Sequence, residues 1–357
     1  MNLKRLVHNI LFVSLCIWGI VESVLGIFQT VGICAPHNLI FKLTGSFDNP
    51  GPYGGLLACI ASTAIAFLLF ENESSPKDNE TKYLRLVATV CCCFCLIVVP
   101  ATRSRTAWVA LVCSLVAVFF AKYGFRRWVS RYPKLSIASF VIIVLSIPGL
   151  FLMKKESALG RLHIWHMDFL TVMDSPWTGH GISKIMAAYG RTQEFFFREC
   201  MADASPTVIR IAGCPEYPFN EYLGLGMALG FPAMIVSIIV VSIFSIRLLK
   251  EHSAYAGGMI SLSIFSLASY PMSLLQFWIL LAIIVASSFK SSSAWVGVVS
   301  SFLVLVGGLL FLKYGYKSKI EECRESYTYG YSLHKLSLWE DSNKELIPAF
   351  EYSCDPM

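Results

Sequence analysis

Apolar positions in this chain do not alternate with polar ones. They fall in charge-free runs over residues 53–70, 86–102, 135–153, 222–246 and 291–312, and residues 6–28 form another, interrupted only by Glu22. Residues 106–121 are a shorter uncharged run. A hydrocarbon layer about 30 Å thick takes roughly 20 helical residues at 1.5 Å each, so these runs are of crossing length. Residues 254–289 hold no charge either, too many positions for one crossing and enough for two. Tyr270-Pro271 marks the expected reversal, because proline cannot carry helical hydrogen bonding through its own nitrogen. The pattern predicts about nine spans. Lipid offers backbone groups no partners, so the spans are expected to be helices, and the missing period-two polarity argues against a barrel. The expected fold class is all-α: a polytopic transmembrane bundle with one large extracytoplasmic loop.

The polar segments set the expected orientation. With the N-terminus inside, the inner segments hold Lys4, Arg5, Lys77, Lys82, Arg85, Lys122, Arg126, Arg127, Arg131, Lys134, Arg247, Lys250 and Lys290. The short outer loops hold only Lys42, Arg103 and Arg105. This excess of cytoplasmic Lys and Arg is the positive-inside pattern. It puts residues 154–221 and the tail from 313 outside, and the first run reads as an uncleaved anchor. Domain organisation follows: a membrane-embedded part over 1–313, with 154–221 as its large loop, and a tail over 314–357 that could begin a longer helical region. In the large loop, Leu159, Leu162, Trp165, Phe169 and Val172 fall at helical spacing, which predicts an amphipathic surface helix. Residues 182–189 are expected to form a second, short helix.

Composition agrees: 55% of residues are hydrophobic and 15% charged, against about 25% charged in soluble domains. The net charge of +6 reads as a topology signal, and no basic-aromatic groove suggests nucleic acid. Twelve cysteines make no disulfide framework. Cys91, Cys92, Cys93 and Cys95 share one run, without metal-site spacing. Cys200 and Cys214 both fall in the outer loop and could pair in an oxidising compartment. No metal and no cofactor is expected.

Three constellations could carry chemistry. Arg103 and Arg105 occupy a tight outer turn where the topology rule disfavours them; they either snorkel to lipid phosphates or clamp an anion in a planar fork. Arg161, His163, His166 and Asp168 cluster early in the predicted loop helix, as a polar face or a working site. Asn220, Glu221 and Tyr222 stand where the loop returns to the membrane. There Glu221 is either a helix-capping residue or a general base at a low-dielectric boundary.

The order of these motifs resembles the O-antigen ligase and O-antigen polymerase family. The resemblance rests on the 45–55 stretch with Asn49-Pro50, then Ser104-Arg105-Thr106, Gly160-Arg161 with Trp165, Pro176 followed by Gly179-His180-Gly181, Asn220-Glu221-Tyr222-Leu223 with Gly230, and Ser269-Tyr270-Pro271. It implies a membrane glycosyltransferase that moves a glycan from a polyprenyl-pyrophosphate donor to an acceptor hydroxyl on the periplasmic face, in a bacterial inner membrane. The acceptor would be glycan, lipid or protein. Arg105 and Arg161 would hold the pyrophosphate, with Arg103, Asn49, His180, Asn220 and Tyr222 contacting substrate. Many such ligases carry a histidine before the Asn of the return motif, where this chain has Phe219. That leaves Glu221 and His166 as candidate bases. The competing reading is a transporter or flippase of anionic substrates, against which the sequence offers no paired broken helices.

Overall fold

A computed structural model of the chain describes residues 3–38, 40–71, 79–152, 155–200, 206–213, 215–288 and 294–352. Cys214, Lys77, Lys154 and Lys290 lie outside the described residues. The elements are α1 (Leu3–Thr30), α2 (Pro50–Phe70), α3 (Asn79–Ala101), α4 (Arg105–Tyr123), α5 (Phe125–Arg131), α6 (Pro133–Leu152), α7 (Lys155–Asp174), a 3-10 turn (Ile182–Lys184), α8 (Ile185–Cys200), α9 (Pro206–Ile211), α10 (Glu221–Lys250), α11 (Tyr255–Phe265), a second 3-10 turn (Pro271–Ser273), α12 (Leu275–Ser287), α13 (Ala294–Tyr314), α14 (Tyr316–Lys335) and α15 (Trp339–Tyr352). The protein is an all-helical, polytopic bundle, with no strand among the described residues.

Six of these helices are long and apolar enough to cross a membrane: α1, α2, α3, α4, α10 and α13. α6 occupies the predicted 135–153 run. The expected double crossing over 254–289 takes a different form. α11 and α12 have 11 and 13 residues, each short of the roughly 20 a crossing needs. The chain leaves the helix from Ser266 and turns at Pro271, with Ser266, Ser269 and Ser273 all buried. Non-helical backbone of this kind is tolerated at membrane depth only inside protein, where its polar groups find partners.

The chain divides into two compact units. One holds Met1–Leu150, Val241–Pro271 and Gln276–Val306; the other holds Phe151–Val240, Met272–Leu275 and Gly307–Met357.

In the first unit α2 is the central helix. It is apolar on every face and buried almost throughout, as a helix without a polar stripe should be. Small residues let its neighbours approach closely. A Cβ on Gly257 or Gly258 of α11 would fall 2.2 Å from the Ser62 carbonyl oxygen or from Thr63 Oγ1. Toward α4, the Ser62 and Ser114 hydroxyls pair at 2.6 Å. Glu22, the lone charge of the first span, is buried and committed to structure. Its carboxylate accepts from the Ser46 hydroxyl at 2.5 Å and from the Ser46 amide at 3.2 Å. Gln29 accepts from the Thr44 and Gly45 amides and donates to the Gly45 carbonyl. The loop before α2 is thereby pinned to the end of α1.

In the second unit α7, α8 and the first part of α10 share a core of Met167, Val172, Ile185, Met186, Tyr189, Met227 and Ala228. α8 runs 11 residues beyond the short helix expected, because Tyr189 and Phe196 continue the buried face. The tail is a helix pair, α14 and α15, closed by the Ser342 hydroxyl donating to the Gly330 carbonyl at 2.9 Å.

α7 has one face buried in protein and another that stays exposed, and apolar residues fall on both. His163, Met167, Asp168, Thr171 and Val172 are buried in protein. Leu162, Phe169 and Met173 stay about half exposed, together with His166. The predicted stripe therefore splits: Val172 packs inward, while Leu162 and Phe169 form an outward stripe suited to a membrane surface.

Candidate active site

The site is built where α10 begins. Asn220 caps that helix, its Oδ1 accepting from the Tyr222 and Leu223 amides at 3.0 and 3.1 Å. Phe219, just before the cap, has φ +51°, a left-handed conformation that is strained for a bulky residue. Two side chains of α7 hold it. The Trp165 indole donates to the Phe219 carbonyl at 3.1 Å, and the Arg161 guanidinium lies 5.4 Å from the Phe219 ring centroid. Arg161 and Trp165 are one turn apart on the same helical face, which is why one turn of α7 can grip one residue.

Glu221 opens α10 and is half-buried. Its carboxylate accepts from the Met272 amide at 2.7 Å. Met272 belongs to the 3-10 turn leading into α12, so the carboxylate sits at the positive end of a broken helix. Glu221 thus caps the turn into α12, while the cap of α10 itself is Asn220. Met272 was missed by residue-type reasoning, since its contribution is a backbone N–H. The signal was present in Ser269-Tyr270-Pro271, which ends one residue earlier.

His180 lies between α7 and α10. Its Nε2 is 3.0 Å from the Thr171 carbonyl, and its backbone amide donates to the Met227 carbonyl at 2.8 Å. The turn that carries it is locked by two glycines. A Cβ on Gly179 would fall 2.4 Å from the Ala228 backbone, and one on Gly230 2.6 Å from that of Trp177. Both have positive φ, +66° and +84°, open to glycine at no steric cost. His166 is exposed, its ring 5.8 Å from that of Phe196. Tyr222 is half-buried in the first turn of α10.

The remaining candidates belong to the first unit. Arg103 forms the tight turn between α3 and α4 at φ +51°, and Arg105 is the first residue of α4. Ser104 caps α4 and donates to the Gly51 carbonyl at 3.4 Å, and Thr102 packs against Gly54. The Asn49-Pro50 motif and the Ser104-Arg105-Thr106 motif, far apart in sequence, therefore meet. Asn49 caps α2, its Oδ1 accepting from the Gly51 amide at 2.8 Å.

Asp168 is the anomaly. It is fully buried, and neither carboxyl oxygen has a hydrogen-bond partner among the described residues. Burial pushes its pKa well above the usual carboxylate range, favouring the protonated form in the folded protein. His163, one turn earlier, is pushed the other way by burial and is neutral; its Nε2 lies 3.3 Å from Gln193 Oε1. The sign for Asp168 is unfavourable at neutral pH. The unfolded chain releases this proton above about pH 4, the folded one keeps it, and stability falls as pH rises. Asp168→Asn keeps the volume and removes the titration. Thermal unfolding in detergent between about pH 5 and 7 should show a shallower loss of stability for the variant, by up to about 1.4 kcal/mol per pH unit. Equal slopes would mean that Asp168 is not held protonated.

Residues 90–238 match the family model described as O-antigen ligase. The family resemblance is shown over this segment. None of the curated proteins compared matches the chain. The matched segment runs from within α3 into α10 and includes Arg103, Arg105, Arg161, His166, His180, Asn220, Glu221 and Tyr222, while Asn49 and Met272 fall outside it.

Proposed function

We propose that this protein transfers a glycan from a polyprenyl-pyrophosphate donor to an acceptor hydroxyl on the periplasmic side of a bacterial inner membrane. The observation that carries the reading is Arg161 seated over Phe219 at the start of α10. A permanently charged planar fork beside the positive end of a helix suits a diphosphate. When the sugar–oxygen bond breaks, negative charge collects on the departing pyrophosphate, and a fixed cation lowers that barrier without a metal. The acceptor oxygen bonds to the sugar carbon, its proton passes to a base, and polyprenyl pyrophosphate leaves. Glu221 is that base, with His166 the second candidate. Glycan, lipid and protein acceptors all fit this chemistry.

Protein reconstituted in liposomes with a polyprenyl-pyrophosphate-linked glycan and a hydroxyl acceptor should release polyprenyl pyrophosphate as the glycan–acceptor product forms. Movement of intact donor across the bilayer without transfer would favour the flippase reading instead. The proposed orientation has α7 to α9 outside and α5 inside. Reporter fusions after Ser130 and after Gly213 that read the same side would overturn it.

A further inference from the structure

The glycine-locked turn does more than position His180. The Phe231 amide donates to the Pro176 carbonyl at 2.7 Å, and α10 bends there, at Gly230 and Pro232. Beside the bend lies an open groove of about 490 Å³ walled by Pro176, Trp177, Phe231, Pro232, Ile235 and Val236. All six side chains are apolar.

Its depth follows from helix length. α10 has 30 residues, roughly 45 Å of helix, while a hydrocarbon core is about 30 Å thick. The last 20 or so residues suffice to cross, so the bend marks where α10 enters lipid. Below it Ile235, Val236, Ile239, Val240 and Ile243 are 48–62% exposed, a lipid-facing stripe. Trp177 is 78% exposed, as expected for an indole at the membrane interface.

The outward stripe of α7 starts at Leu162, next to Arg161, and reaches Phe169, whose ring lies 6.3 Å from that of Phe231. From the Phe219 cap to the bend is roughly 15 Å along α10, a distance that a few isoprene units cover. One apolar track thus leads from a guanidinium into a single groove at the membrane surface. A single-chain amphiphile with an anionic head fits this shape, whereas a glycerolipid brings two chains.

We infer that the groove beside the α10 bend holds the first isoprene units of the polyprenyl chain whose diphosphate Arg161 binds. This deepens the proposed function and rests on it. Val236→Trp fills the groove, and Trp177→Ala removes its exposed wall without disturbing a core. With a long-chain donor, each variant should raise KM by about tenfold, the loss of roughly two buried methylenes, with kcat little changed. With a donor whose chain ends before the groove, both variants should match the parent. A polyprenyl phosphate carrying a photoreactive group several isoprenes from the phosphate should cross-link to the groove, and polyprenyl phosphate should compete while phospholipid does not. Unchanged KM for the long-chain donor in both variants, or equal competition by phospholipid, overturns the inference. Specific cross-linking in a protein that transfers nothing would overturn the proposed function and leave the groove assignment standing.

Discussion

Arg161→Ala is expected to lower glycan transfer by roughly 100- to 1,000-fold, the loss typical when one preorganised charge-stabilising donor is removed from an active site. Protein abundance should stay near normal, because Arg161 is only half-buried and the Phe219 turn keeps its hydrogen bond from Trp165. Arg161→Lys should recover little activity, since a point charge does not reproduce a planar fork on diphosphate oxygens. Arg105→Ala is the companion measurement on the other unit: full transfer in that variant would return Arg105 to a lipid-snorkelling role. Full transfer in Arg161→Ala would remove the anion site from α7 and the proposed function with it.

Glu221→Gln should reduce transfer by roughly 100-fold or more while leaving donor binding close to that of the parent. Glutamine keeps an oxygen able to accept from the Met272 amide, so the contact that ties α10 to the broken helix survives. The change therefore removes the base without removing the cap. If Glu221→Gln is fully active and His166→Ala is dead, proton transfer belongs to the exposed stripe of α7. Activity in both variants would mean that the step needs no protein base and the cation carries the catalysis.

Much of this was legible along the chain. Charge-free runs require helices wherever they lie in lipid, because no other open structure satisfies the backbone there. The motif order pointed to the ligase family before any geometry, and the 90–238 match agrees. The face of a helix was harder to read. α7 carries apolar residues on both its buried and its exposed side, and periodicity cannot say which of them pack inward, since burial in protein and contact with lipid reward the same residues. The half-length α11 and α12 were hidden for a similar reason: an uncharged run records apolarity, and a buried break lined by serines costs it no charge.

By itself, then, the sequence determined the helical class and the polytopic membrane character. Those are consequences of local composition and order. Only the tertiary structure decided that Arg161 and Trp165 grip Phe219, that Glu221 is held by a backbone amide 51 residues away, and that Asp168 is buried without a partner among the described residues. Each of these depends on side chains or amides brought together from distant positions, and no spacing rule encodes a contact made through a strained turn or a bare N–H.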